Sequence, residues 1–250
     1  MIFAVSGKLA SGKDTAANII CEYLDQNQTL LFTPIFKFAD WVYSLAASYD
    51  DVDIWDENGW EVDPQTKITT TLIDIRTREF LEGLVQAGIL RREEAGQHLQ
   101  PLSDIAKSTP TTSGVKNRDR LRSLAEYVRG NIDPEAWIKL TAEDIAAAGR
   151  SSFTSAVISD LRTSYELAWC NQSGVKTIRI DVSPKVQAQR LRASGLEPDP
   201  IAINHITETE LDSYDGFDLR ISNDGDTETL RTLLGSFLQG INSQVQTAER

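Results

Sequence analysis

The sequence predicts an α/β fold built on a parallel sheet, and three features of the chain point to it. The N-terminus reads as strand, glycine-bounded loop and helix: apolar Ile2-Phe3-Ala4-Val5, a turn running from Gly7 to Gly12-Lys13, then helical spacing from Asp14. Further short apolar runs, Phe153–Ser159 and Thr177–Val182, are each followed by a helical stretch, the alternation that builds parallel sheets. At 250 residues, 40% apolar and 25% charged, the chain is long enough for one α/β core with an appended lobe.

The first unit carries the most specific signal. Ile2 to Val5 is too short for a helix and suits a buried strand. Past Asp14, Ile19, Ile20, Tyr23 and Leu24 share one side of a helix. Between them Gly7-x-x-x-x-Gly12-Lys13 has the spacing of a P-loop. Such a loop turns backbone N–H groups inward around phosphate oxygens, and the helix N-terminus adds its positive dipole end. Lys13 would bring a full charge to the β- and γ-phosphates. Asp14 stands where a Ser or Thr usually supplies a hydroxyl to magnesium, with Thr15 one step later. The competing reading is a glycine-rich turn that binds nothing, which the flanking strand and helix argue against.

Beyond this unit, Pro34 limits the apolar run Leu30–Phe38 to a short strand. A helix follows from Asp40, with Val42, Leu45 and Ala46 inward. Asp50 to Thr71 reads as a solvated acidic loop, because its carboxylates lack the alternation and glycine placement of a calcium loop. Leu72–Leu90 reads as a helix whose Arg76 and Arg78 suit surface salt bridges better than anion contacts. Arg91 to Gly114 has little periodicity and is expected to be loop-like. Arg118–Arg129 is helical in pattern, and Asp133-Pro134 starts another helix that stops near Gly149.

The run Phe153–Ser159 ends in Asp160-Leu161-Arg162. Ligands of open parallel sheets lie at the carboxyl ends of the strands, so Asp160 and Arg162 are candidates alongside the glycine loop. An Asp there orients magnesium's waters, takes a proton, or merely caps the next helix; an Arg clamps a phosphate bidentately. Thr177–Val182 is the next strand, and Ser183-Pro184 starts a helix bearing Arg190 and Arg192. A last strand, Phe217–Ser222, leads through Asn223-Asp224-Gly225 to a C-terminal helix running to Leu238, with a frayed tail from Asn242.

A net charge of −12 excludes a general DNA- or RNA-binding surface but not a local cationic phosphate site. Cys21 and Cys170 have no metal-ligand spacing and suit a reducing cytosol as small hydrophobes. No signal peptide or uncharged apolar run of about 18 residues is present, so a soluble cytoplasmic protein away from membranes is expected.

Ser6-Gly7-Lys8-x-x-Ser11-Gly12-Lys13-Asp14-Thr15 resembles the P-loop of bacteriophage-type deoxynucleoside monophosphate kinases, in which Asp-Thr after the lysine is usual. Asp133-x-x-x-Trp137-Ile138, Asp160-x-Arg162, Asn204-His205-Ile206-Thr207-Glu208 and Ile221-x-Asn223-Asp224-Gly225 follow in the family's order and span most of the chain. The resemblance implies a three-layer α/β/α P-loop kinase core over residues 1–40 and 150–250, with five parallel strands and a lid near 184–204. It also implies a helical insertion over residues 41–149 that holds the acceptor.

By the same resemblance the enzyme transfers phosphate from ATP, with Mg2+, to a (deoxy)nucleoside monophosphate. Gly7, Lys8, Ala10, Ser11, Gly12, Lys13, Asp14 and Thr15 would cradle ATP, with Asp14 on the metal. Arg129 and Arg162 would hold the acceptor's phosphate or the transferring group, and Asp160 joins them and Lys13 as a catalytic candidate. Arg190 and Arg192 would serve the lid, and Asn223 would lie near the adenine. A homodimer and a phage-infected host's cytoplasm fit the same resemblance.

The chain departs from the pattern on the acceptor side. Leu121-Arg122 and Ala125-Glu126 replace a Leu-Gln and Gly-Thr signature, and Trp41-Val42-Tyr43 stands where a lysine is usual. Phosphomevalonate and dephospho-coenzyme A kinases resemble this layout too. A non-catalytic nucleotide sensor is the alternative of a different class.

Overall fold

The computed structural model describes residues 1–26, 32–50, 67–108, 118–150 and 155–248. The acidic residues Asp51, Asp53, Asp56, Glu57, Glu61 and Asp63, the segment Thr109–Gly114, and Phe153 and Thr154 lie outside them.

Five parallel strands form one sheet: β1 (Ile2–Gly7), β2 (Ile35–Phe36), β3 (Ala156–Leu161), β4 (Lys176–Asp181) and β5 (Leu219–Ser222), in the order β2-β3-β1-β4-β5. The helices between and after them are α1 (Lys13–Gln26), α2 (Asp40–Asp50), α3 (Lys67–Gln86), α4 (Arg92–Ser108), α5 (Arg118–Asn131) and α6 (Ala136–Gly149). Then come α7 (Ser164–Gln172), α8 (Pro184–Ala193), the one-turn helices α9 (Pro200–Ile203) and α10 (Ile206–Thr209), and α11 (Thr227–Ala248).

This order fixes the layers. From β1 the chain steps through α1 toward one edge of the sheet, whereas from β3 it steps through α7 toward the other. Right-handed crossovers therefore put α1 and α7 on opposite faces, which makes a three-layer α/β/α core. On the α1 face, Phe3, Val5, Val157, Ile178, Ile180 and Ile221 pack against Ile19, Ile20 and Leu24 of α1 and Leu230, Leu234 and Leu238 of α11. Because the two helices leave β1 and β3 in opposite directions, a crevice opens beyond the carboxyl ends of these neighbouring strands. That is where the candidate site lies.

The chain divides into two compact units, Met1–Phe38 with Glu143–Arg250, and Ala39–Ala142. The second is helical, with a core that includes Val42, Leu81, Leu84, Leu102, Leu124, Val128 and Trp137. Phe80 stacks on Trp137 at 5.8 Å, and Trp137 Nε1 donates to the Ala125 carbonyl at 3.3 Å.

Several local expectations need correction. Arg92–Ser108 is a helix, not loop-like. Its polar composition and internal Pro101 hide the pattern, because proline removes a donor and crowds the preceding turn. Buried His98, Leu102, Ser103 and Ala106 nonetheless share its inner side. Ser103 Oγ donates to Asp74 of α3, and Lys107 Nζ reaches the same carboxylate at 3.0 Å. The Ser103 hydroxyl holds the Asp74 carboxyl below the usual carboxylate range, with Lys107 adding to it. At the C-terminus α11 continues past Leu238 and Asn242 to Ala248. Asp160 does not cap α7; Thr163 does, in a capping box with Glu166. Arg76 pairs with Glu79 at 2.9 Å on the surface, as expected for a salt-bridging helix.

Candidate phosphate-binding site

The loop from Gly7 to Lys13 joins the central strand β1 to α1, and two of its positions admit no side chain. A Cβ on Gly7 would lie 2.4 Å from Ser11 Oγ and 2.8 Å from the Ile180 carbonyl oxygen of β4. Gly12 has φ +92°, and a Cβ there would lie 2.4 Å from Asn223 Nδ2. Ala10 adopts φ 59°, the left-handed conformation in a non-glycine residue. Alternation of such conformations turns successive N–H groups toward one concavity. Ser11 N–H closes the turn on the Lys8 carbonyl at 3.0 Å. The Ser11 hydroxyl is fully buried with no hydrogen-bond partner among the described residues, a polar atom the loop keeps in reserve.

Lys13 is buried at the start of α1, its Nζ 3.7 Å from Asp14 Oδ2. Burial lowers its pKa from the ordinary lysine value, and the field of Arg162 lowers it further; Asp14, Glu208 and Asp160 pull the other way. The five groups thus form one electrostatic cluster at the ends of β1 and β3. A desolvated ammonium next to a second cation gains most from an arriving polyanion. Asp14 and Thr15 lie exposed beside it, oxygen donors of the type that share a hard divalent cation with phosphates.

Asp160 is buried in β3, one carboxylate oxygen accepting the Phe38 N–H at 2.8 Å. Arg162 leaves the end of β3 and pairs with Glu208 of α10. The other Glu208 oxygen accepts the Leu9 N–H at 2.7 Å. Lys8 pairs with Asp212 at 2.6 Å. Asp212 also receives Arg179 Nη2 at 2.5 Å, while Arg179 Nη1 reaches Ser6 Oγ at 3.0 Å and Nε reaches Asp181 at 3.2 Å. Arg179 and Ser6 are register partners on β4 and β1, and both are buried. A buried guanidinium is tolerated because each of these donors has an acceptor.

Arg190 on α8 reaches backbone carbonyls, not open space: Ala10 at 3.4 Å, Ser11 at 3.3 Å and Gly225 at 3.1 Å. Asn223 Nδ2 donates to the Ser11 carbonyl at 2.8 Å, and its own N–H to the Asp181 carbonyl at 2.8 Å. Arg192 is exposed, 3.9 Å from Glu197. Arg129 is half-buried in the last turn of α5, in the second unit.

The structure therefore brings together Gly7, Lys8, Ala10, Ser11, Gly12, Lys13, Asp14, Thr15, Asp160, Arg162, Arg190 and Asn223 in the first unit. Sequence reasoning missed Arg179, Gln187, Glu208 and Asp212 as partners of these groups. Arg179 carried a signal: a charge between Ile178 and Ile180 in a buried strand must be paired. Glu208 stood in the Asn204–Glu208 anchor of the resemblance, but neither it nor Asp212 showed its partners, since Arg162 and Arg179 lie 46 and 33 residues away and Leu9 and Lys8 farther still.

These features describe a parallel α/β protein with a glycine loop at the end of its central strand and cations gathered at the switch between β1 and β3. No protein-family profile matches the chain. A deoxynucleotide monophosphate kinase of Enterobacteria phage T4 is 24% identical over 240 residues, covering 90% of this chain and 93% of the phage protein. Among solved structures, TT1252 from Thermus thermophilus aligns over 96% of this chain and 97% of its own, with 17% identity and a TM-score of 0.47. No helix among the described residues is long and apolar enough to cross a membrane.

Proposed function

We propose that the protein is a phosphotransferase that moves the γ-phosphoryl group of ATP to a deoxynucleoside monophosphate. The observation that carries this reading is the buried Lys13 set in a loop whose Gly7 and Gly12 admit no Cβ, with Arg162 in its field. The phage relative, a deoxynucleotide monophosphate kinase by name and matched along nearly its whole length, supports the acceptor class.

In the reaction an acceptor phosphate oxygen bonds to the γ-phosphorus while the β–γ bridging P–O bond breaks, leaving ADP. The acceptor is already an anion, so alignment and charge neutralisation matter more than a base. Lys13 and the loop N–H groups hold the β- and γ-phosphates, and Arg162 faces the transferring group. Asp14 and Thr15 are the residues that would hold magnesium, which when bound neutralises charge on the β- and γ-oxygens. Asp160 fixes the Phe38 backbone at the start of the segment leading to the helical unit. The reading assigns the acceptor to residues 41–149, with Arg129 on its phosphate, and a lid to about 184–204.

The test is ADP formation from Mg-ATP with each common deoxynucleoside monophosphate, its ribose counterpart and phosphomevalonate as separate acceptors. Turnover with one or more deoxynucleotides is expected. Turnover with phosphomevalonate alone, or none with ATP bound, would overturn the acceptor class.

The lowered pKa of Lys13 gives a second expectation. An arriving polyphosphate favours the charged ammonium and raises that pKa again. Binding therefore takes up protons at alkaline pH, and affinity falls as pH climbs through the free protein's Lys13 pKa, below the ordinary lysine value of about 10.4. Titration calorimetry of ADP in two buffers of different ionisation enthalpy reads this uptake. Proton release at alkaline pH would contradict it.

A further inference from the structure

Three side chains that lie behind the loop donate to three consecutive loop carbonyls. Gln187 Nε2 reaches the Leu9 carbonyl at 2.8 Å, Arg190 Nη1 the Ala10 and Ser11 carbonyls at 3.4 and 3.3 Å, and Asn223 Nδ2 the Ser11 carbonyl at 2.8 Å. We infer that Gln187, Arg190 and Asn223 form a carbonyl clamp that positions the phosphate loop from outside. The inference rests on the reading of this loop as a phosphate cradle, and it gives Arg190 and Asn223 a positioning role beside those the resemblance implies.

Each peptide carries its N–H and C=O on opposite sides, so a carbonyl held outward turns the next residue's N–H inward. Pinning the Leu9 and Ser11 carbonyls aims the N–H groups of Ala10 and Gly12 into the cradle, while the Ser11 N–H between them is held by the Lys8 carbonyl. The local turn bond from Ser11 N–H to the Lys8 carbonyl does not hold the Leu9, Ala10 and Ser11 carbonyls, and Ala10 sits at φ 59°, a conformation costly for a non-glycine residue. Gln187 and Asn223 are buried, so their amides have no water to turn to. Arg190 also ties the loop to the Gly225 carbonyl at 3.1 Å, while the Asn223 N–H bonds the end of β4. The clamp thus connects the loop to α8 and to the turn after β5. It lowers the ordering cost of anion binding, which is what preorganisation means energetically.

The test replaces an amide donor with a carboxyl group of the same shape. In Asn223→Asp the protonated acid still donates to the Ser11 carbonyl, whereas the carboxylate repels it. ADP affinity is measured by calorimetry for wild type, Asn223→Asp and Gln187→Glu at about pH 5.5 and about pH 9, below and above the range in which a buried carboxyl titrates. Thermal melts confirm that each variant is folded, and the second variant serves if the first is not.

The ratio of variant to wild-type Kd is expected to rise at least about tenfold from the acid to the alkaline condition, the scale of one buried hydrogen bond turned unfavourable. Taking the ratio cancels the titration of ADP itself. A ratio that stays flat and near one for both variants overturns the clamp. A ratio that is raised but independent of pH overturns it too, since it would mark a general packing defect. If wild type binds no ADP, the phosphate-loop reading fails first and the clamp with it.

Discussion

Lys13→Ala is expected to abolish phosphoryl transfer while leaving the fold intact. The ammonium is buried and desolvated with Arg162 in its field, so its charge acts on an arriving phosphate more strongly than it would in water. Loss of one preorganised charge donor in such a site costs on the order of 10²–10³-fold in rate. Stability should change little, because burial penalises this ammonium and Asp14 beside it is exposed. Glu208 keeps its bonds to Arg162 and Leu9, so the substitution strands no carboxylate there. Steady-state ADP formation and a thermal melt measure the two effects. Retained activity would remove Lys13 from the mechanism, and loss of the fold would make it a structural residue.

Gly12→Ala is expected to have the second largest effect, on both stability and binding. The backbone at φ +92° is strained for any L-residue, at a cost of about 1–3 kcal/mol. The new methyl would also sit 2.4 Å from Asn223 Nδ2, which holds the Ser11 carbonyl. Either Asn223 moves and releases the loop, or the loop moves and closes the cradle. A lowered melting temperature together with ADP affinity reduced tenfold or more is the expected result. Wild-type affinity in this variant would show that the loop does not need its present shape.

What the sequence made legible, and what it did not, follows from the range of the interactions involved. The first strand–loop–helix unit was readable because its determinants are contiguous: an apolar strand, two glycines at fixed spacing, a lysine and a helix start. The parallel sheet was readable because short apolar strands alternate with helices. The helix α4 was hidden by Pro101 and by polar residues, and it forms because tertiary burial of Leu102 and Ala106 outweighs weak local preference.

The partners of the cations were hidden for a different reason. Glu208 meets Arg162, and Asp212 meets Lys8 and Arg179, only once α10 and the segment after it fold over the sheet edge. Spacing in a single chain carries no trace of such pairs. Arg190 shows the same limit. The resemblance assigned it to a lid, and spacing gave no sign that its guanidinium meets three backbone carbonyls.

The central claim is that this loop carries out transfer to a nucleotide phosphate, and tracing the label tests it most directly. The protein is incubated with ATP labelled at the γ-phosphorus, magnesium and a deoxynucleoside monophosphate, and the products are separated. The account predicts label in the β position of a deoxynucleoside diphosphate, with none gained when Lys13→Ala replaces the wild type. Label appearing only as inorganic phosphate, or remaining in ATP, would contradict it.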